Sequence, residues 1–310
     1  MILLANELSS KTKFLLLGLF FLLTAPSLHA ETYLHGEPIY PAFEGWRPNS
    51  DGTFSFMFGY MNANWEEAPV IEIGENNFFA PGGLDRGQPT NFLPRRNRFT
   101  FEVTVPSDWG ERELVWTLNF NGVEAHAFAT LKGDYLVDNM VIASETGSLG
   151  IGKSSPESRA NVPPVLTIQG ADVRTAKVGE AITLRTLLED DGLPRSRARS
   201  TRSERALLRS MFRAPQKPTV NKINALYQSW NVYRGQGKVT FDPPQTKVWE
   251  DTRVSANSPW GILWLPPEIP EDGMIEVTAT FDEPGTYILW GRADDGGLYA
   301  DVYITVYVTE

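Results

Sequence analysis

The chain has 310 residues, 42% of them hydrophobic and 12% aromatic, which is enough to pack cores of ordinary size, and a formal net charge of −10. That charge argues against generic nucleic-acid binding. With no cysteine anywhere, disulfide frameworks, thiol catalysis and cysteine-based zinc sites are excluded, and an exported form must be held together by burial alone.

The N-terminus has the order of an export signal. Lys11 and Lys13 precede an apolar run from Phe14 to Leu23, then Ala25-Pro26-Ser27-Leu28-His29-Ala30 and a polar chain from Glu31. This predicts a secretory signal over residues 1–30, cleaved after Ala30. The run is shorter than the roughly 20 residues of a spanning helix. A bacterial periplasmic or secreted location follows, with no lipid-modified cysteine and no transmembrane helix after cleavage. About 280 residues then remain, the size of two domains.

Residues 31–143 read as a first β-sandwich. Phe54, Phe56, Phe58 and Tyr60 alternate with smaller residues, as do Phe99, Phe101, Val103 and Val105, the pattern of half-buried strands. Asn121-Gly122 supplies the positive φ angles of a two-residue type I′ turn. That turn sets Phe120 opposite Val123, Leu118 opposite Ala125, Trp116 opposite Ala127 and Leu114 opposite Ala129. Residues 74–97 read as a long irregular stretch. Its Phe78, Phe79 and Phe92 are expected to plug the open end of the sandwich; beside Arg95 and Arg96 they are also a candidate surface for an anionic or sugar ligand. Residues 144–163, small and polar, read as a linker, with 134–141 packing on the first domain.

A second strand series fills residues 164–310, interrupted by a basic insertion at 195–227 and another at 246–272. Tyr287, with Leu289 two residues on, has the spacing of a tyrosine corner whose second cysteine is replaced by leucine. From Tyr299 onward, Ala300, Val302, Ile304, Val306 and Val308 share one face, and Tyr303, Thr305 and Tyr307 the other. The succession Asp-Asp-Gly-Leu-Pro, a strand led by Trp230, Gly235-Gln236-Gly237-Lys238-Val239-Thr240-Phe241, Ala279-Thr280-Phe281 with Pro284-Gly285-Thr286-Tyr287, and Ala293-Asp294-Asp295-Gly296 resembles the PKD-like and bacterial Ig-like modules of exported bacterial proteins. The resemblance implies an immunoglobulin-like sandwich with Trp230 as core tryptophan against Leu289 and Leu184. Such modules serve as spacers, adhesive units or substrate-binding accessories, so the family leaves activity open. The fold class expected is all-β, with two tandem β-sandwich domains.

Catalytic chemistry has little footing. After residue 30 the histidines are His35 and His126, the latter on the outward hairpin face opposite Thr117, and no zinc-ligand spacing occurs. Three candidate sites remain. In an Ig-like sandwich the B–C and F–G loops share one end, so Asp190 and Asp191 approach Asp294 and Asp295, a set of oxygens suited to calcium; the competing reading is that these residues simply form tight turns. From Arg195 to Lys222 there are nine basic residues against Glu204 alone, a net of +8 that leaves −18 on the rest. Within it Arg205, Arg209 and Arg213 recur at four-residue spacing beside Leu207, Leu208, Met211 and Phe212, a basic amphipathic helix that could lie on anionic lipid or neutralise the acidic end of its own domain; a polar, highly charged and disordered segment is the competing reading for 195–203.

The third candidate is an aromatic patch of Tyr233, Trp290, Tyr303 and Tyr307, pointing away from the second core. Packing against the first domain, or against the insertion holding Trp249, Trp260 and Trp264, is expected for it; if exposed, it would bind glycan or an envelope protein. The function expected is therefore a non-catalytic binding or scaffolding protein of the bacterial envelope. A calcium-stabilised adhesive or carbohydrate-binding module is the first alternative. A hydrolase using carboxylates about 5–9.5 Å apart is the second.

Overall fold

The computed structural model describes residues 33–145, 155–194, 226–245, 248 and 268–310. The export signal expected over residues 1–30, the basic segment with Arg205, Arg209 and Arg213, and the tryptophans at 249, 260 and 264 lie outside the described residues. The first half builds β1 (Ile39–Pro48), β2 (Phe54–Asn62), β3 (Asn77–Ala80), β4 (Arg95–Val105), β5 (Leu114–Phe120) and β6 (Val123–Ala129). They form two three-stranded sheets, β1-β2-β4 and β3-β5-β6, closed over one aromatic core. Phe58, Phe79, Phe101 and Trp116 interlock there, Phe79 stacking on Trp116 at 5.8 Å and Phe101 meeting it edge-on at 5.0 Å. Edge-on and offset contacts suit the ring quadrupoles and add to the burial.

The Asn121-Gly122 hairpin has the expected register. Its φ angles of 52° and 76° are those of a type I′ turn, whose twist matches the strands it joins. Of the three expected plugs, Phe79 and Phe92 are fully buried core residues, whereas Phe78 is only half-buried on the other face of its strand. Two features differ from the sequence reading. The stretch 74–97 is not wholly irregular: it contains β3, which pairs with β5, and β4 begins at Arg95. What holds so short a strand is Asn77, whose Nδ2 donates to the carbonyls of Ile71 and Pro89 while its Oδ1 accepts from Trp116 Nε1 at 3.0 Å. The second difference is a bulge in β4. Register shifts between Phe58 and Tyr60 of β2, and Phe99 takes a φ of 49°. Phe99 is thereby turned to the face opposite Phe101, into a cluster with Met57, Val137, Ile142 and Leu298.

Behind β6 the chain returns along β1, with Val137 N–H donating to Trp46 O at 2.8 Å. It then forms α1 (Asn139–Glu145), which buries Ile142 and Ala143, and α2 (Pro156–Ala160). The latter opens on a capping box in which Ser155 and Ser158 satisfy each other's backbone N–H groups.

The second half holds β7 (Val165–Ile168), β8 (Val173–Lys177), β9 (Ala181–Glu189), β10 (Tyr227–Arg234), β11 (Val239–Asp242), β12 (Met274–Phe281), β13 (Gly285–Asp294) and β14 (Tyr299–Thr309). The sheets are β11-β12-β9-β7 and β10-β13-β14-β8, with β8 parallel to β14. In immunoglobulin terms these are the D-E-B-A sheet and the C-F-G sheet extended by the second half of strand A. Trp230 and Leu289 are buried in the core with Leu184, Phe281 and Ile304. Tyr287 Oη donates to Glu283 O at 2.9 Å, which is the tyrosine corner. Gly237 follows from it: a Cβ there would run into the Tyr287 hydroxyl and Asp282. The two sandwiches together make up one compact unit from Tyr33 to Glu310.

Candidate functional site

The outward faces of β10, β13 and β14 carry Tyr233, Trp290 and Arg292, and Asp301, Tyr303 and Tyr307. The structure divides the predicted aromatic patch. Tyr233 and Trp290 are 5% and 2% exposed, while Tyr303 and Tyr307 are 38% and 48% exposed. The first pair belongs to the hydrophobic cluster of the first sandwich, together with Phe92, Ile39 and Phe58. Tyr233 meets Trp290 edge-on at 6.3 Å and Tyr303 at 5.2 Å, so covered and open rings are continuous.

The covering element is the loop leading from β3 into β4. Gln88, fully buried, ties this loop to itself: its Nε2 donates to Leu84 O and its Oε1 accepts from Arg86 N–H, both at 2.8 Å. The loop then caps the edge of β10. The N–H groups of Thr90 and Asn91 both donate to Tyr233 O at 3.1 Å, Asn91 Nδ2 donates to Gly235 O at 2.7 Å, and Tyr233 Oη donates to Gly87 O. Arg234 adds a bidentate pair to Asp85, at 2.9 and 2.8 Å. Hydrogen bonds from Arg234 hold the Asp85 carboxyl below its ordinary pKa.

Arg292 closes the other side. Its guanidinium pairs with Asp301 through Nε at 2.8 Å and Nη2 at 2.7 Å. Its remaining donors reach across to the bulge in β4, Nη2 to Phe99 O at 2.6 Å and Nη1 to Arg98 O at 3.3 Å. The charge also lies over the rings of Tyr299 and Trp290, 4.1 and 4.6 Å from their centroids. Burial works against this cation, but Asp301 outweighs it, and the pKa stands above the ordinary arginine range. Planar, weakly hydrated and rich in donors, arginine suits such a junction better than lysine would. Phe99, turned out by the bulge, stacks on Tyr299 at 6.2 Å. The bulge thus supplies both the ring and the carbonyls that the second sandwich takes up.

Neither Arg292 nor Arg234 stood out in the sequence. A signal for the first existed: Arg292 and Asp301 are direct cross-strand partners, on the face already assigned to Trp290 and Tyr303. The loop from Asp85 to Asn91 had no comparable signal, because its role depends on where it lands.

The four aspartates lie at the ends of β9 and β13, and each serves a local turn. Asp190 accepts from Gly192 N–H, Asp191 from Leu193 N–H, Asp294 from Gly296 N–H, and Asp295 from the N–H groups of Gly297 and Leu298. The segment after α2 bridges the two loops, since Asn161 Nδ2 donates to Asp295 Oδ2 at 3.0 Å and Val162 N–H to Asp191 Oδ2 at 3.2 Å. Burial pushes the Asp295 pKa up to about 7 against the hydrogen bonds from Leu298 and Gly297. Among the described residues no group of three or more acidic or histidine side chains is gathered as a metal-ion set. His126 Nδ1 lies 3.0 Å from Thr117 Oγ1 and its Nε2 3.3 Å from Glu124, a cross-strand polar row on the hairpin's outer face.

No family model matches the chain, and no curated protein matches it. Solved structures that resemble it do so at low identity and low TM-score. The D00-D0 domain of intimin aligns over 88% of this chain and 100% of that one at 10% identity, with a TM-score of 0.24. A conjugative transposon lipoprotein from Bacteroides eggerthii DSM 20697 aligns over 46% and 96% at 11% identity, with a TM-score of 0.24. The adhesin InvE of Yersinia pseudotuberculosis aligns over 90% and 61% at 10% identity, with a TM-score of 0.23.

Proposed function

We propose that this is an exported, non-catalytic scaffold of the bacterial envelope, in which a first β-sandwich and a PKD-like second sandwich are locked into a single stiff unit. The observation that carries this reading is the burial of Tyr233, Trp290 and Arg292 between the sandwiches. A freely swinging pair of modules has no use for a desolvated arginine tied at once to Asp301 and to two backbone carbonyls of its neighbour, whereas a spacer of fixed geometry does. The signal-like N-terminus and the cysteine-free chain support export. Among the described residues, no helix is long and apolar enough to cross a membrane.

Fractionation of cells carrying a C-terminally tagged chain tests the location, with the processed form expected in the periplasmic or secreted fraction. Cross-linking in intact cells followed by mass spectrometry then tests the scaffold role, with envelope proteins or polymers expected among the captured species. An unprocessed cytoplasmic chain, or turnover of an envelope polymer by the purified protein, overturns the reading.

A further inference from the structure

We propose that the free edge of β6 is a self-association surface, to which a second copy of this chain adds its own β6, antiparallel, across a two-fold axis at His126. In a two-residue hairpin Phe120 and Val123 are a hydrogen-bonded pair. Val123, Ala125, Ala127 and Ala129 therefore turn their backbone groups to β5, and Glu124, His126 and Phe128 turn theirs the other way. β6 is the last strand of its sheet. No strand, loop or side chain among the described residues hydrogen-bonds to those three N–H and three C=O groups. All three residues are exposed, the Phe128 ring at 54%.

What sets this edge apart is that nothing guards it. Native edges are blunted by shortness, charge, proline, bulges or a covering segment. β7 and β11 have four residues each, and β8 carries Arg174 and Lys177 within five. β1 has Pro41 and a bulge between Phe43 and Gly45. On β10, Thr90 and Asn91 cap Tyr233 O, and Gln245 Oε1 accepts from Trp230 N–H at 2.8 Å. β3 is closed by its own loop, Phe79 N–H donating to Leu84 O, and β4 is met by Arg292. β6 runs for seven residues with no proline, glycine, lysine or bulge.

The occupant follows from symmetry and side chains. Three free residues centred on His126 complement themselves: the two-fold sets His126 opposite its own copy and Glu124 opposite Phe128, and six N–H···O bonds form with no group left over. On the core side Ala125 meets Ala127 and Val123 meets Ala129, apolar on both sides. On the outer side Glu124 lies diagonal to His126 of the second copy, within reach of a polar contact, and no two carboxylates stand opposite each other. An unrelated extended peptide would gain the main-chain bonds without this matched set.

Sedimentation velocity of the full chain from Glu31 is expected to show a concentration-dependent equilibrium between monomer and dimer. His126→Lys and His126→Glu each set like charges opposite one another and should weaken the dimer at least about threefold. An equimolar mixture of the two should associate more tightly than either alone. Register is read by cross-linking. The chain has no cysteine, so His126→Cys supplies a single thiol per chain, with Cα atoms about 5.5 Å apart across the axis and inside disulfide range. Glu124→Cys sets its thiols four residues out of register, about 14 Å apart. Oxidation should yield a covalent dimer of the first and not of the second. Urea midpoints close to the parent's establish that these exposed substitutions leave the fold intact. A chain that stays monomeric at millimolar concentration overturns the proposal and leaves the edge to an extended segment of another protein. A dimer indifferent to both charges, or one that cross-links as readily through Glu124→Cys, overturns it as well. Export and the stiffness of the joint are read separately, by fractionation and by scattering.

Discussion

Arg292 concentrates the energetics of the joint in one side chain. With 8% of its side chain exposed against 16% for Asp301, the pair is nearly dry, and removing one charge leaves the other without compensation. Such breaks cost about 3–5 kcal/mol, whereas replacing both partners by apolar groups is often close to neutral. Arg292→Met is therefore expected to lower unfolding stability by about 3 kcal/mol or more, and Arg292→Met with Asp301→Leu to recover most of the loss, as read from urea midpoints. A double variant no better than the single would mean that the carbonyls of Arg98 and Phe99, or the Trp290 Nε1–H that also donates to Asp301 at 2.8 Å, account for the loss. Asp295 acts in the opposite electrostatic sense. Its folded pKa of about 7 lies above the ordinary carboxylate value, so the folded state holds a proton that the unfolded chain has released. The stabilisation from this group is complete below about pH 4 and is lost as pH rises through about 7, with a slope of at most about 1.4 kcal/mol per pH unit. Asp295→Asn should flatten stability over that window; an unaltered profile would show that another group titrates there.

The hairpin and the tyrosine corner show what elements owe to local chemistry. Gly122 has a φ of 76°, and a Cβ there would meet nothing within 4 Å, so Gly122→Ala is expected to cost about 1–2 kcal/mol from backbone strain alone. At Gly237 the space is already filled by the Tyr287 hydroxyl. Gly237→Ala should displace the Tyr287–Glu283 hydrogen bond, seen as a shifted tyrosine ring resonance together with a lower melting temperature. These two elements were legible in the sequence because the residues that make them are neighbours: Asn121 beside Gly122, and Tyr287 beside Leu289 with a glycine pair after strand C. The core place of Trp230 was implied by the resemblance to Ig-like modules and not by alternation, since Ser229, Trp230 and Asn231 are all buried. β3 was not legible, since its stability comes from Asn77 reaching Ile71, Pro89 and, across 39 residues, Trp116. Nor was the β4 bulge, because Phe99 continues an unbroken apolar alternation and turns away only where Tyr299 and Arg292 reward it. The orientation of the aromatic wall could be read, but not which half of it would be covered, which depends on a loop more than 140 residues upstream of Tyr233.

At the scale of the whole molecule, the proposed stiffness would come from two anchors at separate places along one joint. Arg234 and Tyr233 fasten the edge of β10 to the loop from Asp85 to Asn91, while Arg292 and Tyr299 fasten the outer face to the β4 bulge. On the fixed-spacer reading, lever-like motion about either anchor alone is blocked by the other, and loosening requires both to fail. Each sandwich keeps its own buried core, around Trp116 in the first and Trp230 in the second, so cutting the joint need not unfold either. Combining Asp85→Ala, Arg234→Ala, Arg292→Met and Asp301→Leu is therefore expected to raise the radius of gyration in small-angle scattering and to separate the rotational correlation times of the two halves by NMR relaxation. Far-ultraviolet dichroism should stay close to the parent's, while tryptophan emission shifts to the red as Trp290, buried in the joint, meets water. The single variants should leave the scattering profile unchanged, because one anchor still holds. If the combined variant tumbles as one body, the apolar seam of Phe92, Tyr233 and Trp290 is sufficient by itself, and the polar contacts supply orientation rather than cohesion. If a single variant already separates the halves, the joint is a hinge, and a spacer of fixed geometry is no longer the function its construction supports.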